Sequence, residues 1–143
     1  MNNKISKLVK NSNRRCLKFR KRILDISQKV KALHAAGAFS CMEMLDLIYF
    51  SLMKKDKNGK IKDTFLMSKG HSSIAQYVIL EHLNILSKKD LDSYCTPRGR
   101  LGAHPDYGTP GIEASTGSLG HGMGLAVGMA LADEIYKKKR KIF

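Results

Sequence analysis

Tryptophan is absent from the 143-residue sequence, and cysteine and proline are scarce, with three residues of each. Three cysteines are too few for a small secreted disulfide framework or a cysteine-rich zinc site, so a reduced intracellular protein is the simplest interpretation. The most apolar stretch, residues 117–132, contains His121 and several glycines. It is shorter than the roughly 20 apolar residues that cross a bilayer. The sequence therefore argues against secreted and membrane-spanning classes.

Basic residues outnumber acidic ones, with 26 Lys and Arg against 12 Asp and Glu and a net charge of +14. The excess lies at the two ends: residues 1–31 hold 11 basic residues and one acidic residue, and residues 137–141 are all basic. Only Phe19 and Tyr136 are aromatic there, and no nucleic-acid reader motif is present. Two interpretations stay open: solvated helix faces, or a small basic helical module that binds nucleic acid or anionic surfaces.

Two helices are predicted in the first third of the chain. Residues 17–33 place apolar side chains at helical spacing, with Arg and Lys on the other face. Gly37 is expected to interrupt the helical region, and Ser40-Cys-Met-Glu43 matches the capping box that opens a second helix. The apolar face of this second helix comprises Met44, Leu45, Ile48, Tyr49 and Leu52.

The middle of the chain has the order strand, turn, helix, which is the half-unit of a parallel α/β sheet. Residues 54–63 are a polar loop with an Asn58-Gly59 turn, and residues 64–67 are a short buried strand. A helical run then extends to Leu83, and Ser87 is placed to cap a further short helix.

The last third combines a long loop with a glycine-rich helix. Residues 95–117 hold all three prolines, and a long ordered loop is more often functional than not. A helix is expected over 118–139, with Gly120, Gly124 and Gly128 on one face that lets another backbone approach. Residues 141–143 begin a possible second strand. Because a lone strand cannot satisfy its backbone, we predict a mostly helical α/β fold with one or two strands of an unfinished parallel sheet.

Three of the five histidines lie in glycine-rich turns: His34, His71 and His104. Histidine serves as a general acid or base, or as a hydrogen-bond donor, near neutral pH. His82 is expected to be a surface or packing residue, and His121 a partly buried one in the first turn of the glycine helix. No two histidines have the spacing of a zinc motif, so no metal ligand is assigned in this chain.

Four separated segments resemble, in the same order, the N-terminal, diphosphate-binding part of transketolases, especially the split type with two separate subunits. They are His34-Ala-Ala-Gly-Ala-Phe-Ser40-Cys-Met-Glu43, Ser68-Lys-Gly-His71, Gly102-Ala-His104-Pro105 and Pro110-Gly-Ile-Glu-Ala-Ser-Thr-Gly117-Ser-Leu119-Gly-His-Gly122. The resemblance implies a partial thiamine diphosphate-binding domain over 17–143, preceded by a basic N-terminal extension, residues 1–16.

The resemblance implies thiamine diphosphate-dependent transfer of a two-carbon ketol unit between sugar phosphates, in the pentose phosphate pathway of the cytoplasm. His34 and His104 would contact substrate hydroxyls and the reacting oxygens. His71 would lie near the thiazolium and diphosphate, and Gly117, Ser118 and Leu119 would border the aminopyrimidine. The C-terminal transketolase subunit, with the pyrimidine-binding half and the activating Glu, would be a partner, and self-association is expected. The resemblance implies neither a nucleic-acid nor a membrane partner.

Two departures from the family pattern qualify that reading. Ala36 stands where the family usually has Gly, which is a mild change because Gly37 remains. The family's Gly-Asp-Gly motif, which holds Mg²⁺ against the diphosphate, would begin just after Ile142, and the sequence given stops at Phe143. We therefore expect a truncated subunit that lacks the Mg²⁺ ligands and is inactive alone.

Overall fold

The structure, a computed structural model, describes residues 3–30 and 32–143. Its α-helices, in chain order, are α1 (Asn3–Ser27), α2 (Ala35–Ser40), α3 (Met42–Leu47), α4 (Ser73–His82), α5 (Lys88–Asp92) and α6 (His121–Ile135). A π-helical turn, Ile48–Leu52, extends α3, and a 3₁₀ turn, Gly70–Ser72, precedes α4. Helix dominates, as the sequence predicts.

Helix α1 begins earlier and ends earlier than predicted. Its buried face repeats at helical spacing and comprises Cys16, Phe19, Ile23 and Ile26. The helix passes through residue 16 without a break, and the division of the chain after that residue stays a prediction. At the other end the Ser27 hydroxyl donates to the Leu24 carbonyl at 2.7 Å, and the chain leaves the helix. The predicted extension to residue 33 is wrong for the described residues, and Lys31 lies outside them.

Part of the basic charge of α1 is neutralised inside the domain. Three of its arginines make ion pairs with acids of other helices: Arg15 with Asp46, Arg20 with Glu43, and Arg22 with Glu81 and Asp92. Asp46 is 1% exposed, so the Arg15 pair is the most enclosed of them. These arginines fasten α1 to α3, α4 and α5, which is a structural use of charge that the sequence alone did not reveal.

Gly37 does not interrupt a helix, and the capping box predicted at Ser40 does not form. Gly37 lies inside α2, where a Cβ would come 2.8 Å from the Ser72 hydroxyl, so the position selects glycine for close packing. Cys41 caps α3 without a side-chain bond, because the Ser40 hydroxyl donates to the Gly37 carbonyl and Glu43 pairs with Arg20 instead. Both predictions were wrong because tertiary contacts engage these groups.

The helical prediction for residues 44–52 is confirmed, but its apolar face is only partly buried. Leu45 and Tyr49 belong to the core, whereas Met44 is 60% exposed and Leu52 47% exposed. The change to π-helical spacing at Ile48 rotates the last turn relative to α3, so the expected face does not stay in one plane.

The predicted strand pairs with the end of the chain. Thr64 and Ile142 form a parallel bridge, in which the Thr64 N–H donates to Lys141 O at 2.8 Å and the Phe143 N–H donates to Thr64 O at 2.9 Å. A second, antiparallel bridge joins Lys55 to Ile61 across the polar loop. Within the described residues these are the β-structure, which fits part of an α/β domain.

Helix α4 forms the centre of the core, with every residue from Ser73 to Leu80 buried. The predicted capping box at the start of α5 is confirmed, because the Ser87 hydroxyl accepts from the Asp90 N–H and the Asp90 carboxylate accepts from the Ser87 N–H. The long segment between α5 and α6 contains no helix or strand, as expected for the loop over 95–117.

Helix α6 is shorter than predicted and almost uncovered. It begins at His121 after Gly120, which has a φ of 92°, and ends at Ile135. Only Gly122 and Asp133 are buried along it, and no side chain or backbone lies within 4 Å of the Cβ positions of Gly124 and Gly128. The expected backbone neighbour of the glycine face is therefore missing from the described chain. None of the helices in residues 3–30 and 32–143 is long and apolar enough to cross a membrane.

Candidate functional site

The three histidines predicted in glycine-rich turns come from three different segments of the fold. His34 immediately precedes α2, His71 lies in the 3₁₀ turn before α4, and His104 lies in the long loop. The rings of His34 and His71 meet edge to face, with their centroids 5.4 Å apart. Residues separated by 37 positions in sequence thus share one surface of the domain.

A close backbone contact joins the His71 turn to the glycine-rich segment. A Cβ on Gly70 would lie 2.7 Å from the Thr116 carbonyl oxygen and 2.9 Å from Gly117 Cα. The Thr116 hydroxyl also donates to the Met67 carbonyl at 2.5 Å. Only glycine at position 70 permits this approach, because any side chain there would meet backbone atoms.

The loop that carries His104 is anchored to α4 by two side chains. The Tyr77 hydroxyl donates to the His104 carbonyl at 3.0 Å, and the Ser73 hydroxyl donates to the Ala103 carbonyl at 2.9 Å. These bonds hold the backbone and leave the His104 ring exposed. That ring lies beside Gly117, where a Cβ would be 3.5 Å from His104 Cδ2. His104, Gly117 and the His71 turn are therefore consecutive neighbours.

The electrostatic surroundings of His71 favour its neutral form. The pKa of His71 is lowered first by burial of the ring, then by the Lys69 ammonium group and by His34 and His104. Because a cation close to another positive charge is disfavoured, His71 stays an uncharged imidazole at neutral pH. A neutral imidazole has one nitrogen that donates and one that accepts a hydrogen bond.

An open groove of about 550 Å³ continues from this cluster along the start of α6. It is lined by Ser115, Thr116, Gly117, Gly120, His121, Gly124 and Leu125. Ser118 and Leu119 follow Gly117 directly and are exposed, Leu119 at 66%. The groove thus combines backbone of small residues with apolar side chains, which is a surface suited to a flat ring.

The two remaining histidines lie outside the cluster. The His82 ring lies 5.3 Å from the Phe19 ring and 5.7 Å from the Phe50 ring, consistent with the predicted surface or packing role. His121 lines the groove but is exposed, so the expectation of a partly buried histidine is wrong. Its side chain is open because little packs on α6.

Sequence reasoning missed four residues that shape this site: Lys69, Gly70, Ser72 and Thr116. Each is adjacent in sequence to a residue that was singled out, so the motifs contained them without assigning them a role. Their importance lies in contacts between segments about 30 to 46 residues apart, such as Gly70 with Thr116, which spacing within one segment does not encode.

No group of three or more His, Cys, Asp or Glu residues that could hold a metal ion occurs in residues 3–30 and 32–143. The histidine cluster itself presents imidazoles at a groove and no nearby carboxylate that the structure pairs with it. The arrangement can bind a cofactor or substrate, orient hydroxyl groups and exchange protons.

Comparison with known proteins identifies relatives over most of the chain. The family described as "Transketolase, thiamine diphosphate binding domain" matches residues 12–141. One of the two subunits of the apulose-4-phosphate transketolase of Phocaeicola vulgatus is 41% identical over 130 residues, covering 88% of this chain and 46% of the relative. The 6-deoxy-6-sulfo-D-fructose transketolase subunit SqwG of Clostridium sp. is 38% identical, covering 79% of this chain and 42% of the relative.

A solved structure gives the same result for the fold. Transketolase from Leishmania mexicana superposes with a TM-score of 0.72 at 30% identity, covering 88% of this chain and 19% of that one. The chain spans under half the length of the split-type relatives named above. Nothing in the comparisons supports the alternative of a basic nucleic-acid-binding module.

Proposed function

Because the chain belongs to the family of transketolase N-terminal, thiamine diphosphate-binding domains, we propose that it forms the diphosphate-binding part of an enzyme that moves a two-carbon ketol unit between sugar phosphates. The observation that carries the proposal is the convergence of His34, His71 and His104 beside Gly117, at the mouth of the groove. The setting that we propose is pentose phosphate metabolism in the cytoplasm, as the family resemblance implies.

The groove fits the ring end of thiamine diphosphate. Gly120 and Gly124 leave open space along it, and Leu119 offers an exposed apolar side chain to a ring. When bound, the cofactor supplies the carbanion chemistry that cleaves a ketose carbon–carbon bond. We assign His71 to the thiazolium and diphosphate side, and Gly117, Ser118 and Leu119 to the border of the aminopyrimidine. A neutral His71 suits this place because it does not repel a cationic ring.

His34 and His104 are proposed as the catalytic residues that contact the substrate. Both rings are exposed at the site, and each belongs to a segment fixed by backbone bonds, such as Tyr77 to the His104 carbonyl. Their imidazoles would orient sugar hydroxyls and hold or release a proton at the reacting oxygen. His71 lies between them electrostatically, since both lower its pKa.

A second polypeptide is proposed to complete the site. Helix α6 leaves large apolar side chains in solvent, among them Met123 (73% exposed), Val127 (66%) and Ile135 (67%). An apolar face of this kind next to a groove is typical of a surface that another chain covers. The relatives named as subunits support a split arrangement. We propose that this partner is the C-terminal transketolase subunit, with the pyrimidine-binding half and activating Glu, and that the assembly self-associates.

Magnesium is proposed to be held by ligands outside the sequence given. The described residues contain no cluster of metal-ligating side chains, and two phosphate groups need a counter-cation. We therefore expect the isolated chain to be inactive and to bind thiamine diphosphate poorly.

Reconstitution tests the proposed function. The 143-residue chain is mixed with a candidate C-terminal subunit, Mg²⁺ and thiamine diphosphate, and ketol transfer from a ketose phosphate to an aldose phosphate is measured. Parallel calorimetric titrations compare cofactor binding by the chain alone and by the mixture. We expect neither binding nor transfer with the chain alone, and transfer once the missing segment and the partner are supplied. Tight, Mg²⁺-dependent binding by the chain alone would contradict the account of the metal.

A further inference from the structure

Lys69 joins two of the segments that form the histidine cluster. Its Nζ donates to the Gly37 carbonyl at 3.1 Å and to the Ser40 hydroxyl at 3.1 Å. The Ser40 hydroxyl in turn donates to the Gly37 carbonyl at 2.9 Å. The half-buried lysine is thus held at two points on α2, although it belongs to the segment that carries His71.

The acceptor of this lysine is a group that the helix leaves unsatisfied. The last four carbonyls of a helix lack intrahelical donors, and Gly37 is the first of these in the six-residue α2. A cation is favourable at the C-terminal end of a helix. Lys69 therefore satisfies an orphan acceptor with charge of the preferred sign, which makes the contact specific.

The position of α2 controls the spacing of two histidines. His34 immediately precedes the helix, and the Ala38 N–H bonds to the His34 carbonyl at 3.1 Å. On the same helix, a Cβ at Gly37 would lie 3.3 Å from His71 Cδ2. A shift of α2 away from the His71 turn would carry His34 with it.

We propose that Lys69 is a positioning residue whose two hydrogen bonds clamp α2 onto the His71 turn and so hold the His34 and His71 rings edge to face. The inference relies on the proposed function only for the roles of the two histidines. The same ammonium group also helps to lower the pKa of His71, after burial and together with His34 and His104. Lys69 thus sets both the distance and the charge of the pair.

The test uses NMR of the full 143-residue chain without ligand. The nuclear Overhauser contact between the His34 and His71 ring protons reports their spacing, and the pH titration of the His71 ring reports its charge. Lys69→Met is expected to lose the ring contact and to raise the pKa of His71 toward the ordinary histidine value. Lys69→Arg keeps charge and donors and is expected to restore both. Lys57→Met, an exposed lysine of the polar loop, is the matched control and is expected to change neither.

Ser40→Ala separates positioning from charge and also serves if Lys69→Met fails to fold. It removes one of the two anchors of Lys69 while leaving the ammonium group in place. The ring contact is expected to weaken while the pKa of His71 stays low. Retention of the wild-type ring contact in Ser40→Ala and in any folded Lys69→Met would overturn the proposal. Failure of cofactor binding in the reconstituted enzyme, with the clamp confirmed, would count against the proposed function alone.

Discussion

Replacing Gly70 with alanine tests how the site is held together. The added Cβ would lie 2.7 Å from the Thr116 carbonyl oxygen, 2.8 Å from its carbon and 2.9 Å from Gly117 Cα. All three are backbone atoms, so no side chain can rotate away. Overpacking of this kind typically costs about 1–3 kcal/mol. Because the Thr116 hydroxyl also bonds to Met67, we expect the upper part of that range for Gly70→Ala.

Urea denaturation followed by circular dichroism measures this loss, with Gly128→Ala as the matched control. Gly128 lies in α6 with nothing within 4 Å of its Cβ position, so alanine there improves helix propensity and is expected to stabilise by up to about 1 kcal/mol. The two Gly→Ala changes therefore have opposite predicted signs. Equal stability of Gly70→Ala and the wild type would refute the close packing of the His71 turn on the glycine-rich segment.

Two further predictions concern charge. Arg15→Met leaves the buried Asp46 carboxylate without its bidentate partner and is expected to destabilise by about 3 kcal/mol in urea, whereas Lys88→Met removes an exposed pair and should cost under about 1 kcal/mol; similar losses would contradict the assigned burial. The pKa of Asp90 is lowered to about 2, chiefly by Arg100 and then by Ser87. Since a depressed folded pKa stabilises above the unfolded value of 3.8, this contribution should fade as pH drops from 3.8 toward 2, and Asp90→Asn should flatten acid unfolding over that window.

The sequence predicted local structure best where the signal lies within one segment. The capping box at Ser87 forms as expected because both of its bonds are local. The equivalent pattern at Ser40 fails because distant groups, Gly37 and Arg20, compete for its side chains. The parallel pairing of Thr64 with Ile142 was expected from the strand–turn–helix order and the apolar end of the chain.

The candidate site was predicted by residue and not by contact. His34, His71, His104 and Gly117 were chosen from glycine-rich turns and from family motifs, and the fold brings them together. Lys69 carried no signal of its own, because its hydrogen bonds reach back 32 residues to α2. Contacts of that range depend on packing of whole helices, which spacing within a motif does not specify.

The most direct measurement compares two histidine variants in the reconstituted two-subunit enzyme. His71→Ala removes a ring at the mouth of the groove, whereas His82→Ala removes one that contacts Phe19 and Phe50 away from it. Ketol transfer, corrected for the folded fraction of each variant, is the readout. We predict a far larger loss for His71→Ala than for His82→Ala. Equal losses would contradict the assignment of the histidine cluster as the place where cofactor and sugar meet.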